Sequence, residues 1–122
     1  MKKAIFIIIV IGITLLSSCK NETTIILAIE DAETFEKAKK EVDQAIDFFE
    51  SSYLDLCDEV KNDFTKEKFG SLKKQIQNLE KTGFACKNLT TFDQNEVHNY
   101  TVKKIKENSK LHSLLSNKVE CW

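Results

Sequence analysis

No proline and no arginine occur in this chain of 122 residues, and it has only three glycines. Without proline nothing obliges a helix to stop or kink, and with so little glycine the tight turns of β-hairpins have few residues to build on. An all-β fold, with turn signals every 8 to 12 residues or so, is excluded on those grounds. The missing arginine removes the planar fork that grips phosphates and carboxylates in a bidentate way. Together with a formal charge of −1, it argues against nucleic acid as a partner. There is also no serine nucleophile in a glycine turn, no phosphate loop and no zinc-protease helix motif, so the sequence supports no enzymatic activity. No two cysteines stand at zinc-ligand spacing. His98 and His112 lie two heptads apart, away from the cysteines, and read as surface or boundary residues. Neither a metal nor a cofactor is expected.

What is present suits helices: 30% charged and 42% hydrophobic residues, distributed in amphipathic runs. The first residues differ. Lys2 and Lys3 precede an apolar stretch from Ala4 to Leu16, interrupted only by Gly12 and Thr14, and two serines then lead into Cys19. This is the layout of a signal peptide, and its apolar run falls short of the roughly 20 residues that a transmembrane helix needs. The division that follows is 1 to 18 as a cleaved signal peptide, 19 to 30 as a short tether with an apolar segment, and 31 to 122 as a helical bundle.

Leu16-Ser17-Ser18-Cys19 resembles the lipobox of bacterial lipoproteins. The resemblance covers residues 1 to 19 and is silent on the rest. It implies that the Cys19 thiol receives a diacylglycerol, that the chain is cut just before it, and that the new amino group is acylated. Two or three acyl chains hold a protein stably on a membrane, where a single chain anchors only reversibly. The implied location is the cell envelope. Lys20, standing where enteric-type lipoproteins kept at the inner membrane carry aspartate, is compatible with an outer membrane. The alternative is an ordinary cleaved signal and a free secreted helical protein, in which Cys19 joins the disulfide count and the Asn-x-Thr sites at Asn21, Asn88 and Asn99 gain meaning.

Beyond Cys19 the pattern predicts an all-α fold, a small antiparallel bundle of three helices, or four if the last one breaks. Ile25 to Ile29 form an apolar run expected to dock on the bundle, close to the bilayer. The first long helix is expected from Asp31, as N-cap, to Asp63. Phe35, Val42, Phe49 and Leu56 repeat every seven residues in it, with Ile46, Tyr53 and Val60 beside them. The second is expected from Thr65 to Thr82, with Phe69, Leu72, Ile76 and Leu79 on one face and Gly83 as a left-handed stop. After a loop at 84–92, the third opens at Asp93 with Glu96 completing a capping box, and Asn108-Ser109 marks a break.

With Cys19 lipidated, Cys57, Cys86 and Cys121 remain. If the first and third long helices run parallel, Cys57 and Cys121 lie at matching height and pair, leaving Cys86 free. A break at Asn108 would instead bring Cys121 towards Cys86. Only cysteines with Cα atoms within about 7 Å can be bridged.

Charge divides the chain. Residues 30 to 63 hold twelve carboxylates against four lysines, and residues 64 to 122 hold eleven lysines against six carboxylates. Mutual complementarity within the bundle accounts for this most simply. The sharper reading is a recognition face. Glu36, Asp43, Asp47 and Glu50 line one edge of the first long helix, where like charges at such spacing repel by a few tenths of a kcal/mol per pair and a basic protein partner would relieve the cost. Calcium fits poorly, since a single helix supplies no loop carbonyls to complete its shell.

These features point to a membrane-anchored envelope lipoprotein that binds a protein partner, of accessory, exclusion or immunity type. Two other classes compete. One is a structural, self-associating envelope component, dimerised through an unpaired cysteine such as Cys86. The other is a small-ligand carrier with Phe35, Phe49, Tyr53 and Phe69 around a cavity.

Overall fold

A computed structural model describes residues 22–121. Among them are five α-helices and no strand: α1 (Glu22–Glu30), α2 (Phe35–Cys57), α3 (Asp63–Lys81), α4 (Thr91–Glu107) and α5 (Ser109–Leu115), with a 3₁₀ turn at Thr82–Ala85. The expected signal peptide, 1 to 18, and Cys19 lie outside the described residues.

The three long helices form the bundle and α2 is its centre, in contact with all four of the others. Its periodic stripe is the reason: Ala38, Val42, Ala45, Ile46, Phe49 and Tyr53 are buried, with Phe35 and Leu56 half-buried against them. On α3 the expected face, Phe69, Leu72, Ile76 and Leu79, is buried to match. The Tyr53 and Phe69 rings meet edge to face at 5.4 Å, a geometry that aromatic quadrupoles favour. From α4 come Val97, Thr101 and Ile105. Hydrogen bonds at Asp43–Tyr100 and Glu50–Asn108 advance in the same chain direction, so α2 and α4 are parallel, as expected for the first and third helices.

The apolar run 25–29 docks on the bundle as expected, in helical form. Ile25 and Ile29, one turn apart, are buried, and Leu27 on the other side is exposed. A four-residue connection folds α1 back along α2 as an antiparallel hairpin. The segment after the 3₁₀ turn clasps α1's C-terminal end: the Cys86 thiol donates to Ile29 O at 3.5 Å and Asn88 Nδ2 to Asp31 O at 3.1 Å.

Helix boundaries depart from the sequence reading in instructive ways. Asp31 does not cap α2, because its own N–H still closes α1 by bonding Leu27 O, and its carboxylate pairs with Lys87 at 2.8 Å. Thr34 takes the role instead, in extended backbone, its hydroxyl accepting from Lys37 N. At the other end α2 stops at Cys57 rather than Asp63. Asn62 then caps α3 by accepting from Thr65 N at 2.8 Å, and Thr65 Oγ1 donates back to Val60 O at 2.7 Å. Val60, which continues the apolar row in sequence, is left 76% exposed in that turn. Likewise Thr90, not Asp93, caps α4, its hydroxyl accepting from Asp93 N. Asp93 falls instead in the first turn, where a negative charge suits the helix dipole.

Asn108 breaks the last helix as its sequence suggests, ending α4 and capping α5 through Leu111 N. The disulfide is nonetheless Cys57–Cys121, with Cα atoms 5.3 Å apart. The break does not carry Cys121 towards Cys86 because α5 is short and Asn117, at φ 62°, turns the chain back. The returning strand of chain is then held twice: Ser113 Oγ donates to Lys118 O, and Glu120 N donates to the Tyr53 hydroxyl at 3.1 Å. Closing a loop of 64 residues' separation removes unfolded-state entropy worth about 4 kcal/mol in the chain-entropy model.

Gly83 has no left-handed backbone, so its value is not the one expected. It lets α4 approach the 3₁₀ turn. A Cβ at this position would stand 2.5 Å from His98 N and 2.9 Å from His98 Cα, both backbone atoms that cannot swing aside. Gly83→Ala is therefore expected to destabilise the fold by about 1 to 3 kcal/mol, the range for forcing extra atoms into a packed interior. Urea unfolding checks this, and Gly70→Ala, where a Cβ meets nothing within 4 Å, is the control.

Candidate functional site

The four carboxylates Glu36, Asp43, Asp47 and Glu50 lie along the α2 edge that borders α4 and α5, and they have different fates. Asp43 Oδ1 accepts the Tyr100 hydroxyl at 2.6 Å. Glu50 Oε2 accepts from Asn108 Nδ2 at 2.9 Å. Glu36 pairs within its own helix with Lys39 at 3.3 Å, its side chain 79% exposed. Asp47 is exposed and makes no ion pair among the described residues. Two of the four thus fasten α2 to α4 through neutral donors, and two remain towards solvent.

Lysines gather near this edge without closing it. The ammonium of Lys39 stands 4.8 Å from the Phe35 ring centroid and 5.7 Å from that of Tyr100, and Lys104 stands 5.8 Å from the latter. Such contacts each contribute about 0.5 to 1 kcal/mol at exposed sites. Lys104, Asp43, Asp47, Glu107 and Asn108 share an open cleft of about 350 Å³. Of the ion pairs among the described residues, Glu36–Lys39, Glu59–Lys68 and Asp31–Lys87, none joins an α2 carboxylate to a lysine of α3, α4 or α5.

Tyr100 and Asn108 were not legible as partners of this edge, although both follow from it in hindsight. Once α2 and α4 are parallel, the pairs 43–100 and 50–108 fall at nearly constant offset. The Tyr100 phenol is pushed up to about 12, first by burial and then by its bond to, and the negative charge of, Asp43.

The remaining candidates resolve as follows. Phe49, Tyr53 and Phe69 are buried in the core and Phe35 packs against it; none lines the α2–α4 cleft or the groove of about 300 Å³ between α1 and α2. His98 is half-buried, its Nδ1 donating to Glu80 O at 2.6 Å and its ring stacked on Phe84 at 4.2 Å. His112 is exposed on α5. No group of three potential ligands gathers for a metal among the described residues. No helix among them is long and apolar enough to cross a membrane. Cys86 is free but fully buried, and burial with the nearby Glu30 charge pushes its thiol up to about 11. A covalent dimer through Cys86 would require the C-terminal end of α1 to lift away.

Two outcomes follow. The folded Cys19→Ala chain is expected to resist alkylation at Cys86 at pH 8 and to react once urea unfolds it; rapid labelling of the folded chain would contradict the packing around α1. Tyr100 holds its proton more tightly when folded, at about 12, than when unfolded, at about 10. The stability it contributes is complete below the unfolded value and is lost as pH rises through the folded one. The stability difference between wild type and Tyr100→Phe should therefore narrow across that window, as measured by denaturant titration.

No protein-family model, no curated protein and no solved structure matches this chain.

Proposed function

We propose that this chain is a lipid-anchored protein of the cell envelope, held by Cys19, that binds a basic protein partner along the acidic edge of α2. The single observation that carries the partner reading is the lack of ion pairs from α2 to the lysine-rich helices α3, α4 and α5 among the described residues. Complementarity inside the bundle would have spent those carboxylates on cross-helix lysines. Instead Asp43 and Glu50 take a phenol and an amide, both neutral, and Asp47 stands exposed beside them, with Lys104 in the same cleft but in no ion pair with either aspartate. Lys37, Lys39 and Lys40 lie at the N-terminal end of α2, beside Glu36, so the helix is acidic in net charge, most plainly from Asp43 onward. A net negative field on an exposed helix accelerates encounter with an oppositely charged surface and sets its register. The anchor supports the same reading. Only residues 20 and 21 separate Cys19 from α1, so the domain is presented at the membrane without a long tether.

The division of labour along the edge defines a clean test. Reversing Asp43 or Glu50 would break the α2–α4 seam, so the variant of choice is Glu36→Lys with Asp47→Lys, both outside that seam. Wild-type protein is expected to capture a partner from envelope extracts at low salt, and the double variant to lose it while staying folded, with only the small loss of stability, about 0.3 to 1 kcal/mol, that reversing a charge in the first turn of α2 brings. Equal capture by the variant would remove the acidic edge from the proposal; no capture by the wild type would remove the partner.

A further inference from the structure

Large apolar side chains are exposed at both ends of the bundle. Leu54 lies on the last turn of α2, Val60 (76% exposed) in the α2–α3 turn and Phe64 (64%) on the first turn of α3, all at the end closed by Cys57–Cys121. Phe84 (52%) and Phe92 (71%) lie at the opposite end, around the 3₁₀ turn and the start of α4. We infer that the disulfide end is the one that rests on the bilayer, with Val60 and Phe64 as its apolar contacts. The inference rests on Cys19 carrying lipid and adds to that reading which face of the domain meets the membrane.

Chain length decides between the ends. Because α1 runs antiparallel to α2, its N-terminus points towards the disulfide end, and Thr24 shares a groove with Phe48 and Ser51. From Ser51 to Cys57 along α2 is about 9 Å, whereas from Ser51 back to Phe35 is about 24 Å. Three residue steps from Glu22 to Cys19 reach at most about 11 Å. Acyl chains on Cys19 therefore enter the bilayer level with the disulfide end and cannot reach past the Phe84–Phe92 end. An anchor that close holds the nearest surface against lipid, and there the exposed apolar side chains gain by entering the headgroup and acyl boundary.

Local chemistry defines the contact. Val60 and Phe64 are coupled through Thr65, whose hydroxyl bonds Val60 O, and the Lys68 ammonium lies 4.6 Å from the Phe64 ring while pairing with Glu59 at 2.9 Å. Exposed charges of both signs neighbour this pair in sequence: Asp55, Asp58 and Asp63, with Lys61 and Lys66. Contact is thus apolar, with charges of both signs around it. Among the described residues, Leu27 on the outer face of α1 is the exposed apolar residue on the anchor's own helix, at 49% exposure, and would serve if the domain lay on its side.

The experiment places a single tryptophan at each alternative, as Phe64→Trp, Leu27→Trp or Phe92→Trp, in a full chain with Trp122→Phe, processed in a lipoprotein-exporting host. Each purified protein is incorporated into phosphatidylcholine vesicles containing brominated acyl chains. Intact mass is read first. Lipid mass on a chain beginning at Cys19 with loss of emission at position 64, less at 27 and none at 92, supports the inference. Lipid mass with stronger quenching at 27 or 92, or with none at 64, overturns it while leaving the anchor intact. Concentration-dependent blue shift at 64 without quenching would assign that end to a second copy and likewise overturn it. A mass without lipid overturns the anchor reading and the inference together.

Discussion

Burial of the α2 stripe is the constraint on which the rest of this structure depends. Val42 and Phe49 have no exposed surface and Ala45 almost none, and each of the other helices reaches its place by packing on this one. A side chain of this kind contributes about 1.5 to 3 kcal/mol when fully buried. Net stabilities of small domains are about 5 to 15 kcal/mol, so a handful of such positions decides whether the chain folds. The polar fastenings then act at the margins of the stripe. Tyr53 is the clearest case, with its ring in the core against Phe69 and its hydroxyl accepting the amide of Glu120 beside the disulfide.

The α2–α4 seam shows how a carboxylate can serve the fold and still colour the surface. A lysine partner would cancel the charge of Asp43 locally; the Tyr100 hydroxyl satisfies the same oxygen without cancelling it. Asn108 does the same for Glu50 while also ending one helix and capping the next. Three tasks meet in one residue, two in its amide side chain and one in its backbone. The acidic character of α2 is therefore compatible with tight packing, and no ion pairs are needed to bring the helices together.

Seen from the membrane, the proposed arrangement is ordered along the bundle axis. The disulfide ties the end of α2 to the returning C-terminal segment at the level where the anchor enters, and the Glu36 end of the acidic edge lies towards the other pole, with Phe84 and Phe92. The clasp of Cys86 and Asn88 fastens the C-terminal end of α1 to the segment that precedes α4. In that proposal a docked helix, α1, stands between the lipid and the bundle and would relate the position of the one to the orientation of the other.

Much of this was written locally in the chain. Heptad spacing identified the stripes of α2 and α3, the absence of proline and scarcity of glycine excluded sheets, and Asn108-Ser109 marked the break, because each depends on residues within a few turns of one another. Other features required the chain to be folded first. Which of Asp31 and Thr34 caps α2 depends on where α1 ends, and Val60 leaves the apolar row because Asn62 begins a new helix. Cys121 meets Cys57 despite the break because Asn117 reverses the chain. Gly83 matters through the backbone of His98, and Asp43 through Tyr100, 57 residues away. Period and composition are properties of one helix taken alone, and the sequence determined them; close approach, cap competition and the fate of each charge are set by the neighbour that packing delivers, and only the tertiary structure decided those.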